Sequence, residues 1–332
     1  MHLQERIDLL VDLGSYMSSD EDAWISIRQR ASQENGWFIP EFVDLAINNI
    51  VSQFLDENKL KSWVKQYRLE EEKKDPKSVG LVMAGNIPLV GFHDFLSVFI
   101  TGHAQIIKPS SKDATLIKHL IEHFWQQNKT TRELISFSDL PKGADAYIAT
   151  GSNQSARYFE FYFKKYPHVI RKNRTSVAIL QGDETVADLE KLADDVFLYF
   201  GLGCRNVTKI WVPREYDFVP LLRAFEKYNW LSENHKYKNN YDYQLTLLLL
   251  NKKHYMSNTS LLLAENSSPF SPISCLHYEF YDDAATVYAM EHNNMDIQCI
   301  IGKEGIAFGN AQYPVLTDYA DGVDTLDFLS KL

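Results

Sequence analysis

SVGLVMAGNIPLVGFHDFLSVFITGHAQIIKPSSKDATLIKHLIEHFWQQ, residues 78–127, is the stretch whose reading decides the fold. SVGLVMAG is a short apolar strand ending in small residues, and IPLVGFHDFLSVFITG then reads as a helix. AQIIKPS is a second strand and SKDATLIKHLIEHFWQQ a second helix. The alternation continues with the strand DAYIATGS and the helix NQSARYFEFYFKKY, and SVAILQGD closes the set. Strands alternating with helices at this spacing imply a parallel sheet with helices on its faces. Such sheets bind ligands at the carboxyl ends of their strands. Asn86, Lys108 and Thr150-Gly151-Ser152 fall at three such ends.

Upstream, ERIDLLVDLGSYM and PEFVDLAINNIVSQFL carry apolar residues at three- and four-residue spacing, one greasy stripe per helix. Pro40 stands where a first helical turn tolerates it, and the charged run EEEKKDPK, residues 70–77, ends a connecting element. Downstream, a helix from about Val186 to Phe200 leads to GLGC and the strand NVTKIWVP. These open a second lobe with the strands TSLLLAEN, CLHYEFYD and IQCIIG. Residues 308–332, rich in Gly, Asp and Tyr, are expected to dock on another element or subunit.

The chain has 332 residues, with 45% hydrophobic and 23% charged, which is enough for two cores and excludes general disorder. A net charge of −10 excludes a dedicated nucleic-acid binder, which needs a basic face, and disfavours an anionic membrane surface. The first residues lack the apolar block of a signal peptide. His93, Asp94 and His103 interrupt the one membrane-like stretch, so membrane insertion is not expected. Cys204, Cys275 and Cys299 are odd in number and far apart. They give neither a disulfide framework nor a zinc motif, and a reduced cytosolic compartment fits them best. No metal site is expected.

Cys204 lies in Gly201-Leu202-Gly203-Cys204, where glycines let the backbone turn and a substrate approach the sulfur. A thiolate suits acyl transfer because it is both a strong nucleophile and a good leaving group. A buried core cysteine is the alternative. A helix ending at Gly201 would set its electronegative end against the thiol, an effect that Arg205 or a bound oxidised nicotinamide would have to offset. Asn86 could donate to a developing oxyanion or simply cap a helix beginning at Pro88. Lys108 could hold a cofactor ribose or phosphate, or be a surface lysine before a turn. Thr150-Gly151-Ser152 offers helix N-terminal amides to a pyrophosphate, although an N-cap by Ser152 explains the residues nearly as well.

In order and spacing these segments resemble the aldehyde dehydrogenase superfamily. Asn86-Ile87-Pro88-Leu89 resembles its Asn-Phe-Pro-Leu segment, and Ile107-Lys108-Pro109-Ser110 its Lys-Pro-Ser-Glu cofactor segment. Ala149-Thr150-Gly151-Ser152 resembles its Phe-Thr-Gly-Ser loop. FLYFGLGCRNVTKIWVP resembles its helix, Gly-Gln-x-Cys nucleophile and strand. Ser268-Pro269-Phe270-Ser271-Pro272-Ile273 resembles its Glu-Ile-Phe-Gly-Pro-Val segment. Where aldehyde-oxidising members carry Glu-Leu-Gly-Gly-Lys, this chain has Arg171-Lys172-Asn173-Arg174-Thr175, so the glutamate that activates water is absent. That pattern resembles the acyl-CoA reductases of the bacterial bioluminescence type, as does NNYDYQLTLLLLN.

The resemblance implies an α/β fold with a helical segment at 1–60 and a parallel-sheet nucleotide-binding lobe at 61–183. An α/β catalytic lobe carrying the cysteine follows at 184–307, and a docking or oligomerisation segment at 308–332, in a homo-oligomer. It implies reduction of an acyl-CoA or acyl-carrier thioester to an aldehyde, with Cys204 as acyl acceptor and Asn86 with the Cys204 amide as oxyanion donors. NADPH or NADH is the implied cofactor, contacted by Lys108, Ser110, Ser111, Thr150, Gly151, Ser152 and Phe270, and coenzyme A is the co-product. Ser111 and Ser268 replace two glutamates, which removes acids that would repel a 2′-phosphate. An ordinary core role remains the alternative for Phe270. Two other readings stay open, a non-redox acyltransferase or thioesterase using Cys204 and a non-catalytic scaffold.

Overall fold

Helices at the amino end come first because their apolar stripes have one place to go. In the computed structural model, which describes residues 1–332, α1 (Leu3–Met17), α2 (Asp22–Glu34), α3 (Pro40–Phe54) and α4 (Glu57–Val64) are continuous helices. Pro40 occupies the first turn of α3, as its sequence position suggested. The chain then forms β1 (Ser78–Val82), α5 (Phe92–Thr101), β2 (Ala104–Lys108), α6 (Ala114–Gln127) and the short α7 (Thr131–Leu134). Next come β3 (Ile135–Phe137), β4 (Ala146–Thr150), α8 (Asn153–Phe163) and β5 (His168–Arg171). All five strands are parallel, in the order β3-β2-β1-β4-β5.

The second set contains β6 (Thr175–Ile179), α9 (Val186–Phe197), β7 (Val207–Pro213) and α10 (Phe218–Ala224). It continues with α11 (His235–Leu250), β8 (Met256–Ser257), β9 (Leu262–Glu265), β10 (Cys275–Tyr281), α12 (Ala284–His292) and β11 (Ile297–Ile301). Its six-stranded sheet has the order β11-β6-β7-β10-β9-β8, parallel except for β8 against β9.

The chain divides into Met1–Asn173 with Pro314–Leu332, and Arg174–Tyr313. The strand within SVAILQGD, expected to close the first sheet, is β6 and pairs with β7 and β11 in the second. A fully buried parallel strand reads the same in either sheet, because only its long-range partners decide where it lies. The boundary therefore falls at residue 173 and not at 183, and the amino-terminal helices share a unit with the first sheet.

The first unit has one apolar core, in which Leu10, Leu13, Trp24 and Trp63 pack with Phe95, Phe99 and Leu120. The tail of the chain completes it. Leu326 and Leu329 of the terminal helix Thr325–Ser330 are fully buried, each contributing about 1.5–3 kcal/mol. Tyr67 donates to Asp324 at 2.7 Å, and Trp63 to Tyr319 at 2.8 Å. His93 and His103 meet the Leu316 and Leu329 carbonyls, each at 2.9 Å. The docking expected of the terminal segment thus occurs on its own chain, against α5 and the amino-terminal helices.

Candidate active site

The strand order of the first sheet reverses at β1, since the chain moves from β1 to β2 and β3 on one side and to β4 and β5 on the other. The crevice between the carboxyl ends of β1 and β4 is the topological switch point, where open α/β sheets take nucleotides. The turn carrying Asn86 follows β1, and Thr150-Gly151-Ser152 follows β4. Lys108 ends β2 on the other flank of β1.

The turns after β1 and β2 are built against each other. Met83 N–H donates to the Lys108 carbonyl at 3.0 Å. A Cβ on Gly85 would lie 2.5 Å from Ser110 Oγ, so glycine is required for the two turns to meet. Leu89 takes a left-handed conformation (φ 55°), and its N–H donates to Asp113 Oδ2 at 2.7 Å. Burial pushes the Asp113 carboxyl well above the usual carboxylate range. This turn delays α5 to Phe92, with Gly91 as its N-cap residue. Asn86 therefore caps no helix at Pro88; it stands exposed on the turn. Ser110 and Lys108 are half-buried, and Ser111 is exposed. Ser152 does cap α8, accepting from Ser155 N–H at 3.2 Å, so the N-cap reading holds for that residue. Gly151 lies one residue before it, at the helix N-terminus.

Cys204 belongs to the second unit. The preceding helix α9 stops at Phe197, short of the expected Phe200 to Gly201. Tyr199, Phe200 and Gly201 are left-handed in succession (φ 55°, 57° and 71°), an arrangement costing roughly 1–2 kcal/mol for each non-glycine residue. Asn206 holds it in place. Its buried Nδ2 donates to the carbonyls of Asp195 at 3.1 Å and Leu198 at 2.9 Å, capping the helix end. Its Oδ1 accepts from Gly203 N–H at 2.8 Å, and its own N–H returns to the Gly203 carbonyl at 3.1 Å. Cys204 is thus the second residue of a closed Gly203–Asn206 turn, half-buried, with its carbonyl accepting from Ser176 Oγ at 3.0 Å. The helix carboxyl end, expected to face the thiol, is occupied by the Asn206 amide. Arg205 Nε donates to the Ala311 carbonyl at 2.6 Å.

The strand leaving this turn carries a chain of hydroxyls to Phe270. Thr175 and Thr208 share a hydrogen bond at 2.5 Å, and Thr208 Oγ1 donates to the Pro269 carbonyl at 2.5 Å. Buried Lys209 donates to the Ser267 carbonyl at 3.0 Å and pairs with Glu279 at 2.6 Å. Phe270 is half-buried. Sequence reasoning missed Asn206, Thr208 and Lys209. The alternation in NVTKIWVP was a usable signal, because a lysine on the inward face of a strand needs a buried partner.

At the motif position of the water-activating glutamate, Arg171 is buried in an ion pair with Asp94 and donates to Thr325 Oγ1 at 2.7 Å. The segment serves packing and presents no carboxylate. His119-Leu120-Ile121-Glu122-His123 in α6 has metal-pair spacing that the expectation of no metal motif passed over. In the structure Tyr16 hydroxyl meets His119 Nε2 at 2.6 Å, and its ring stacks on His123 at 3.8 Å. No three His, Cys, Asp or Glu side chains are grouped to hold a metal.

A sequence model of the LuxC acyl-CoA reductase family matches residues 44–217, more than half the chain, from α3 past Cys204. The chain belongs to the LuxC acyl-CoA reductase family. This LuxC-family protein is therefore an oxidoreductase enzyme with an aldehyde-dehydrogenase-like α/β fold. An oxidoreductase from Marinobacter aquaeolei matches at TM-score 0.66 and 12% identity, over 91% of this chain and 73% of its own. Aldehyde dehydrogenase 21 from Physcomitrella patens, solved with the reaction product succinate, matches at TM-score 0.66 and 13% identity, over 92% and 74%. A Mycobacterium tuberculosis aldehyde dehydrogenase complexed with NAD+ matches at 0.63 and 12%, over 89% and 72%. At these identities the structures speak for the fold. No curated protein sequence matches the LuxC-family chain, and no helix of it is long and apolar enough to cross a membrane.

Proposed function

We propose that this enzyme reduces an acyl thioester, carried by coenzyme A or a carrier protein, to an aldehyde through an acyl-enzyme on Cys204. The observation that carries the reading is the Cys204 turn, closed by Asn206 at 2.8 and 3.1 Å. The turn fixes a half-buried thiol on rigid backbone, as covalent catalysis requires. Its thiolate attacks the thioester carbonyl carbon, the carbon–sulfur bond to the carrier breaks, and the carrier leaves as a thiolate. Asn86 and the Cys204 backbone amide are assigned to the oxyanion, where each donor contributes roughly 3 kcal/mol.

The first unit fits a nicotinamide dinucleotide. Its sheet reverses strand order between β1 and β4, Gly85 keeps the turns clear, and Lys108 and the α8 N-terminus offer positive groups. Lys108, Ser110, Ser111 and Thr150-Gly151-Ser152 would hold NADPH or NADH there, with Phe270 at its nicotinamide end. When bound, the cofactor supplies the hydride that turns the thioester into an aldehyde. The chain's own part is to hold the acyl carbon on Cys204 and to present no water-activating carboxylate at the Arg171–Thr175 motif position. The Mycobacterium relative's complex with NAD+ supports this cofactor class.

The test is to incubate the protein with NADPH or NADH and a panel of acyl-CoA thioesters while following absorbance and aldehyde release. Cofactor oxidation matched by aldehyde is the expected result. Thioester cleavage without cofactor oxidation would establish the non-redox acyltransferase or thioesterase instead.

A further inference from the structure

The second unit contains a cavity of about 830 Å³, within the roughly 300–1,000 Å³ typical of small-molecule sites. Its origin is topological. β9 and β10 are parallel neighbours, yet residues 266–274 join them without a helix. Parallel crossovers usually carry a helix that covers the sheet, and the bare loop leaves this part open. Alternate residues of β10, Cys275, His277 and Glu279, line the space from one strand face.

His277 is 7% exposed, and its Nδ1 lies 2.9 Å from the Ser268 carbonyl. A carbonyl only accepts, so Nδ1 carries the proton and Nε2 keeps its lone pair. Burial pushes the imidazole pKa down; the Ser268 bond opposes this, and neighbouring Lys209 adds to it. The ring is therefore neutral at neutral pH, with Nε2 as its acceptor. One Glu279 oxygen is held by Lys209 at 2.6 Å, which neutralises its charge and leaves the other to accept. The floor thus offers two acceptors one strand repeat apart, about 6–7 Å. Leu248, Ala264, Phe270 and Pro272 give it apolar wall, and Gln244, Lys253, His254, Glu265 and Asn266 line the remainder with polar groups. Burial raises the Cys275 thiol to about 12, so it adds apolar surface and not a second nucleophile.

A ligand that matches this floor is slender, with two N–H donors in series. We propose that the cavity receives the pantetheine arm of the leaving thiol, whose two secondary amides donate to His277 Nε2 and Glu279. The inference rests on the acyl-thioester reading. Thr208 and Lys209, on the strand that follows the Cys204 turn, donate to the Pro269 and Ser267 carbonyls, and Ser267 and Phe270 line the cavity.

The test uses the full chain and its H277L and H277Q variants, with pantetheine, adenosine 3′,5′-bisphosphate and NADH as probes in calorimetric titrations. H277L removes the acceptor, H277Q restores one, and Ala264→Trp fills the cavity from another strand. Pantetheine should bind wild type and H277Q but bind H277L and A264W about tenfold more weakly. Adenosine 3′,5′-bisphosphate should be indifferent to all three. KM for an acyl-pantetheine thioester should rise with H277L, while KM for a methyl thioester and kcat stay unchanged. Pantetheine binding unaffected by both H277L and A264W, or displacement of pantetheine by NADH alone, would overturn the assignment. Reductase activity with an arm indifferent to His277 defeats this inference and spares the functional reading. His277-dependent pantetheine binding without reductase activity does the reverse.

Discussion

The Thr208 hydroxyl donates to the Pro269 carbonyl at 2.5 Å, joining the strand that follows the nucleophile to the segment that carries Phe270. Thr208→Val keeps the shape and removes the donor. Stability should fall by about 1–2 kcal/mol, and KM for the nicotinamide cofactor should rise severalfold while Thr208→Ser recovers both. Urea unfolding and cofactor titration check this, and an unchanged cofactor KM would remove the segment from the cofactor site.

Asp113 holds the turn that presents Asn86 by accepting the Leu89 N–H. Because burial raises the pKa of its carboxyl well above the usual range and an amide oxygen can still accept the Leu89 N–H, Asp113→Asn should be tolerated. Asp113→Leu leaves that N–H unpaired and should cost about 1–3 kcal/mol, with a larger loss in kcat than in substrate KM. Comparable kinetics in the two variants would show that the turn does not depend on this bond.

Asp195 sets a pH dependence of stability. It is fully buried and accepts from the Gly309 and Ala311 amides at 2.7 and 2.9 Å. Burial nevertheless raises its pKa to about 6, those two bonds working the other way. The unfolded carboxyl titrates near 4, so between about pH 4 and 6 the native state holds a proton that the unfolded chain has lost. This contribution is complete below pH 4 and disappears as pH rises through 6, at most about 3 kcal/mol. Urea midpoints of wild type minus Asp195→Asn should fall across that window. A flat difference would mean that Asp195 ionises normally.

Much of this was legible because it is local. Small residues after apolar strands marked the turns at Gly85-Asn86, Lys108 and Thr150-Gly151-Ser152, and the glycines before Cys204 marked its turn. The errors share a different cause. Helix α9 ends at Phe197 because Asn206, the last residue of the Cys204 turn, caps it. Helix α5 waits until Phe92 because Asp113, in the next βα connection, holds Leu89 left-handed. β6 changed sheets because its partners, β7 and β11, lie downstream. The cavity at His277 arises from a helix missing between β9 and β10, which no single motif announces.

Run in the oxidative direction, the chain should favour thiols over water. Arg171 is consumed by Asp94 and Thr325, and the segment through Thr175 holds no carboxylate to activate water, a function worth about 10²- to 10⁴-fold. Glu279 is engaged by Lys209. With NADP+ and an aldehyde, turnover should be slow until coenzyme A is added, and the product should be acyl-CoA. Rapid formation of free acid without thiol would identify another base, with Glu265 the first carboxylate to substitute.

The most direct measurement follows the acyl group on Cys204. The protein is pulsed with an acyl-CoA, examined by intact and peptide mass spectrometry, and then chased with NADPH. The expected result is one acyl adduct, on the peptide containing Cys204, which disappears on the chase as an equivalent of aldehyde forms. Cys204→Ala should give neither adduct nor aldehyde, while Cys275→Ala and Cys299→Ala should give both. An adduct that persists in Cys204→Ala, or one on Cys204 that NADPH and NADH both leave intact, would contradict reduction through this thioester.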